Sequence, residues 1–160
     1  MTNSLQNQLF KKYPGLFKQR KFPTSQSNMW CGADTDDGWY TLLDSVCNWL
    51  NWNITHNKYP KVEFTQVKEK FGTLRLYYTI KGNKKGKDDK KEETEDFIRR
   101  CGEIEGVISF AESLSGSICE VCGNPGKLTN EGWMRTECDL CRAKRRGDKA
   151  TMFAKGAYKK

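Results

Sequence analysis

Four cysteines constrain this chain more than any other feature. Cys119 and Cys122 are separated by two residues, and so are Cys138 and Cys141, with fifteen residues between the pairs. That spacing is the one expected of a four-thiolate zinc site. Two intervening residues let both sulfurs of a pair reach one ion from a tight turn, and Gly123 follows the first pair where such a turn needs it. Thiolate suits a soft d¹⁰ cation, and four ligands leave no position for water, so the expected role of Zn²⁺ is structural rather than catalytic. An iron–sulfur centre is the alternative that the same donor set allows. The sequence holds seven cysteines, an odd number, so intramolecular disulfides cannot use all of them.

The remaining composition divides unevenly along the chain. The 160 residues carry a net charge of +8. The segment from Arg142 onward holds eight Lys or Arg and one Asp, so the rest is close to neutral. Residues 81–93 carry six Lys and four acids and offer nothing to bury, the pattern of a flexible surface loop. No apolar run approaches the roughly 18–20 residues that span a membrane, and the first residues lack the pattern of a secretory signal. The reading is a protein of a reducing compartment.

Periodicity places the elements. Residues 4–13 make a short amphipathic helix capped by Ser4, with Leu5, Leu9 and Phe10 on one face. Residues 24–38 read as loop. Trp39, Leu42, Leu43, Val46, Trp49 and Leu50 recur at helical spacing, with Asp36 or Asp37 as the cap, and this helix frays near Asn51–Asn53. Val62, Phe64, Leu74, Leu76, Tyr78 and Ile80 alternate as in a half-buried hairpin. A three-residue loop, Lys70-Phe71-Gly72, pairs Val62 with Ile80 and Phe64 with Tyr78. That register sends Gln66 and Lys68 to the core side and Val67, Arg75 and Tyr77 to the other. A long helix from about Thr94 to Leu114 follows, in which Gly102 and Gly106 would allow close packing on the sheet. The expected architecture is α+β, with helices packed on a small antiparallel hairpin or sheet and a C-terminal four-cysteine, zinc-ribbon-like module. Its divisions are a body over 1–117, a zinc module over 118–141 and a basic tail over 142–160.

Groups that carry catalysis are sparse. The single histidine, His56, lies at a helix end, where a surface or capping role is the commoner one. Asp34, Asp36, Asp37 and Glu69 leave carboxylate chemistry formally open, although helix capping is the simpler account of the Asp cluster. Cys47 and Cys101 fall on helix faces as core residues, and Cys31 lies in a loop. Trp30, Trp52 and Trp133 fall in loops or at element ends, where an indole can stack on a base or anchor an interface.

Several stretches together resemble a family of small phage and prophage proteins with a C-terminal four-cysteine, zinc-ribbon-like motif. They are Lys12-Tyr13-Pro14 with Phe17, Cys31-Gly32, Asp37-Gly38-Trp39, the run from Val67 to Arg75, and Tyr77-Tyr78. Phe110-Ala111-Glu112, the run from Ile118 to Gly123, Gly132-Trp133, Thr136, Cys138 and Cys141 complete the set. The resemblance spans roughly residues 5–141; the charged loop and the tail depart from the pattern by their length. It implies a phage origin and the host cytoplasm as setting, and no reaction.

Three functions follow as expectations. The first is a non-enzymatic accessory protein that binds a host protein or complex, in host takeover or counter-defence, through a zinc-rigidified surface of Trp133, Arg135 and the hairpin. The second is DNA or RNA binding through the tail residues Arg142, Lys144, Arg145, Arg146 and Lys149. The third is capture of a small nucleotide signal, with Lys68, Lys70 and Arg75 on a phosphate and Trp39 or Tyr77 on a base.

Overall fold

The computed structural model describes residues 1–81 and 91–148. The expected charged loop over 81–93 lies largely outside those residues, as does the chain from Lys149 on. The fold is α+β, with four α-helices and two small sheets among the described residues. Helix α1 (Asn3–Lys12) lays Leu9 and Phe10 into the core. Its cap is Thr2 rather than Ser4, and no side chain completes it. The segment that follows is irregular but packed. Phe10 meets Phe17 edge to face at 4.9 Å, Phe17 meets Phe64 at 5.3 Å, and the Arg20 guanidinium covers Phe10 at 3.9 Å.

Residues 24–38, expected as loop, contain a 3-10 turn at Asn28–Cys31 and a two-residue strand, β1 (Ala33–Asp34). Strand β1 pairs in parallel with β2 (Lys61–Lys70), Ala33 beside Val67 and Asp34 beside Lys68. Helix α2 (Tyr40–His56) runs three residues past the expected fraying point. It buries Leu43, Val46, Cys47 and Leu50, and Lys12 and Tyr13 tie α1 to its Asp44. Neither Asp36 nor Asp37 caps it. Asp37 instead accepts the Thr2 amide at 2.6 Å and so holds the start of the chain.

Strand β2 and β3 (Thr73–Lys81) form the hairpin, with Val62 opposite Ile80 and Phe64 opposite Tyr78 as expected. The loop is shorter by one residue: Lys70 pairs with Thr73, and Phe71 and Gly72 both take positive φ, 55° and 76°. Two left-handed residues make a type I′ turn, whose twist matches a hairpin. A bulge at Thr65 restores the count and flips every later side chain of β2. Val67 is therefore core, while Gln66 and Lys68 face outward, the reverse of the sequence expectation.

Helix α3 (Lys91–Ser115) closes the core with Ile104, Ile108 and Ala111. It also covers the β3 edge chemically: Glu112 accepts the Leu76 amide at 2.7 Å and Ser115 accepts that of Leu74 at 2.8 Å. Gly102 and Gly106 do not pack on the sheet; space is open above both. Strands β4 (Lys127–Glu131) and β5 (Trp133–Glu137) form the second sheet, and helix α4 (Asp139–Arg146) follows it. The expected tail from Arg142 thus begins as the last turns of a helix. Among the described residues no helix is long and apolar enough to cross a membrane.

Candidate metal centre and adjoining cleft

The two cysteine pairs converge because each sits on a turn that the chain is built to make. After Cys119, Gly123 takes φ of 77° and donates its amide to the Cys119 carbonyl at 2.8 Å. Cys138 follows β5 directly and caps α4, its sulfur accepting the Cys141 amide at 3.4 Å. The four sulfurs lie within 4.8 Å of one another, and those of Cys122 and Cys138 are 3.7 Å apart. These residues can hold one metal ion. Burial raises the thiol pKa of Cys119 and of Cys141. Burial also opposes ionisation of Cys122, but hydrogen bonds from the Asn124 backbone and from the other thiols hold it below its ordinary value. Four sulfurs at this spacing cannot all be anionic without a cation between them, so proton loss and metal binding are one event here.

The cysteine module is locked to the body from several sides. Trp39 is fully buried, and its indole Nε1 donates to the Ile118 carbonyl at 2.9 Å. This removes Trp39 from the expected binding surface and makes it a structural anchor. The Gly38 amide donates to the Glu120 carbonyl at 2.7 Å, and a Cβ at Gly38 would collide with the Cys119 carbonyl oxygen. Thr136 donates to the Gly72 carbonyl at 2.6 Å, and Leu128 lies against Gly72, so β4 and β5 rest on the hairpin tip.

Along this seam runs a cleft of about 260 Å³, lined by Met1, Asp34, Thr35, Asp36, Glu69, Glu120, Trp133 and Arg135. Glu120 is buried and accepts the Asp36 amide at 3.2 Å. Burial pushes its carboxyl up to about 7, the Asp36 and Glu69 charges adding to that and Arg135 opposing it. Glu69 accepts the Gly72 amide at 2.5 Å. Asp34, Asp36, Glu69, Trp133 and Arg135 stand out in sequence one by one, but Glu120 does not, and nothing in sequence joins them into a cleft. Its carboxylates come from three separate segments, and no local spacing announces them.

Of the other residues singled out in sequence, Trp133 is 64% exposed beside the cleft and Arg135 lines it. Lys68, Arg75 and Tyr77 share the outer face of the hairpin, with Lys70 at its end; Lys68 Nζ stands 5.6 Å from the Tyr77 ring. Three of the basic residues expected to reach nucleic acid face inward electrostatically. Arg145 chelates the buried Glu137 at 2.9–3.1 Å and reaches Glu131 at 3.5 Å. Arg142 pairs with Asp139 at 2.9 Å, and Arg146 pairs with Glu131. Lys144 is exposed, and Lys149 lies outside the described residues. His56 is spent on its own helix, its Nδ1–H donating to the Trp52 carbonyl at 3.0 Å and its ring stacked on that of Trp52.

No family model, curated protein or solved structure matches the chain.

Proposed function

We propose that this chain is a zinc-braced, non-enzymatic accessory protein that docks on a host protein or complex in the host cytoplasm, as the resemblance to small phage proteins implies. One observation carries the docking reading. Phe71 and Leu128 are exposed large apolar residues where the hairpin tip meets β4, and Trp133, also exposed, borders the neighbouring cleft beside Glu69 and Arg135. Aromatic side chains held on a rigid corner are the usual anchors of a protein interface.

Zinc is the metal this reading assigns. A tetrahedron with Zn–S bonds of about 2.3 Å has sulfur–sulfur edges of about 3.8 Å, in line with the 3.7 Å between Cys122 and Cys138. Four thiolates fill the coordination sphere, so the ion would brace the corner and leave chemistry aside. The internal pairing of Arg142, Arg145 and Arg146 weighs against the nucleic-acid reading, because a phosphate would have to displace Glu131, Glu137 or Asp139. A specific observation keeps one further reading in play. Lys68, Arg75 and Tyr77 share one face, an arrangement that suits a phosphate-bearing small ligand.

The test is cross-linking capture from a bacterial host lysate with wild type, a Trp133→Ala/Phe71→Ala pair, a Lys68→Ala/Arg75→Ala pair and a chain ending at residue 148. The docking reading expects one stoichiometric complex that survives moderate salt, persists in the shortened chain and is lost with the aromatic pair. Loss with salt and with residues 149–160 would replace it by nucleic-acid binding. Metal analysis expects one zinc per chain, lost with Cys119→Ser.

A further inference from the structure

We propose, independently of the docking reading, that the free edge of strand β4 takes a second copy of this chain, pairing antiparallel with its own counterpart about a two-fold axis. The other strand edges are met by neighbouring groups. At β1 the Ala33 amide donates to Gln6 Oε1 and the Ala33 carbonyl accepts the Met1 ammonium, both at 3.3 Å. Glu112 and Ser115 take the β3 amides of Leu76 and Leu74. The far edge of β5 is met at Thr136, whose carbonyl accepts the Glu120 amide at 2.9 Å. Strand β4 has β5 on one side, and among the described residues no hydrogen bond reaches its main chain from the other. It carries no proline and no bulge, and four of its five residues are exposed. An open edge of this kind recruits another strand.

The register with β5 identifies the open groups. Main-chain groups alternate in direction along an antiparallel strand, and two residues directly opposite either both face each other or both face away. Thr136 faces away from β4, toward Glu120, and Leu128 stands opposite it. Leu128 therefore turns its N–H and C=O outward, and Asn130, two residues on, does the same.

The sequence of β4 selects a second copy as the occupant. In Lys127-Leu128-Thr129-Asn130-Glu131 the two ends carry opposite charges. Antiparallel self-pairing centred on Thr129 sets Lys127 opposite Glu131 of the second copy, and the symmetric pair repeats this. Leu128 and Asn130 of the second copy then exchange both of their outward hydrogen bonds, while Thr129 meets its own counterpart, a favourable cross-strand pair. A shift of two residues either way loses both ion pairs and shortens the ladder. Lys127 is 67% exposed and reaches Asp139 only at 3.9 Å, whereas Glu131 is held in place by Arg145 and Arg146. On the opposite face the two Leu128 side chains, each 45% exposed in the single chain, become diagonal neighbours. Such a contact closes at two copies and leaves no β4 edge for a third. Five residues a side bury less than a permanent dimer needs, so monomer and dimer exchange.

The experiment is sedimentation equilibrium of the zinc-loaded full chain over roughly a hundredfold range of concentration. The average mass is expected to rise from that of the monomer toward twice that value. Asn130→Pro removes an outward N–H that the β4–β5 ladder does not use, and it is expected to abolish the rise while the fold persists. Lys127→Glu leaves the main chain untouched and is expected to weaken association about tenfold. In a mixture of isotope-labelled and unlabelled chains, the Thr129 Hα atoms should give a cross-peak between copies. A mass that stays at the monomer value overturns the proposal. So does a rise that Asn130→Pro and Lys127→Glu leave unchanged, which would place the contact on another surface. Leu128 and Asn130 amides protected at every concentration, and open only in a chain ending at residue 148, would give the edge to residues 149–160 and overturn it too. Host capture lost with Asn130→Pro in a chain that stays monomeric would give the edge to a partner's strand instead.

Discussion

Phe71 and Glu120 both sit against their ordinary preferences, and each yields a prediction. Phe71 holds a left-handed backbone that costs a side-chain-bearing residue about 1–2 kcal/mol. Asn tolerates that conformation, so Phe71→Asn should stabilise the chain by about 0.5–1 kcal/mol in urea unfolding while weakening partner capture. A lower urea midpoint would mean that the exposed ring packs in a way its 60% exposure does not suggest. Glu120 has a folded pKa raised from 4.5 to about 7, so the fold prefers its neutral form. Its protonated carboxyl contributes stability that is fully present below the ordinary value and is lost as pH rises through about 7. Glu120→Gln should therefore gain on wild type as pH rises across that window, both proteins being held at saturating zinc. A constant difference between their urea midpoints would refute the assignment. The cysteine quartet is legible in sequence because ligand spacing is a local code. Helical spacing puts Trp39 on a core face, where it is found, but its role as an anchor is not legible because its indole acceptor, the Ile118 carbonyl, lies 79 residues away.

At the level of elements, strand β3 is the exposed risk of the sheet, and α3 manages it. Glu112 and Ser115 satisfy two edge amides that would otherwise recruit another strand. Replacing Glu112 with Ala should cost about 1–3 kcal/mol, and Glu112→Gln, which keeps an acceptor, appreciably less. Equal losses for the two would show that the amide bond is not what matters. The hairpin shows how far alternation reads. The pairs near its base follow correctly even from a loop one residue too long, because the bulge at Thr65 cancels the error. The faces of β2 beyond the bulge come out inverted, while those of β3 hold. Nothing in Phe64-Thr65-Gln66 marks the extra residue, whose carbonyl accepts the Ser27 hydroxyl from 38 residues away at 3.3 Å. Helix α4 is misread for a related reason. Its arginines look like a free basic run until Glu131 and Glu137 of the neighbouring strands are placed beside them.

Taken whole, the molecule joins its cysteine module to the body through buried polar contacts rather than through a linker. Chelation of the metal should therefore be felt at Trp39 as well as at the ribbon. When the chain is loaded with zinc and then chelated, the expected outcome is one cooperative loss of thermal stability, with tryptophan fluorescence shifting red in step with loss of the β4–β5 signals. A body that keeps its melting temperature and its tryptophan spectrum after chelation would show the module to be an independent appendage.

The same seam has a temporal side. The Asp36 amide finds its acceptor 84 residues further along the chain, and the Trp39 indole 79 residues further. On a ribosome, the segment that carries the indole emerges long before Ile118 does. Until then the largest side chain of the core has no partner for its N–H, and the Gly38 turn has nothing to pack on. Pairing this distant is slow to form and exposed to wrong partners meanwhile. The contacts that fasten Trp39 and Asp36 are thus among the last the chain can make.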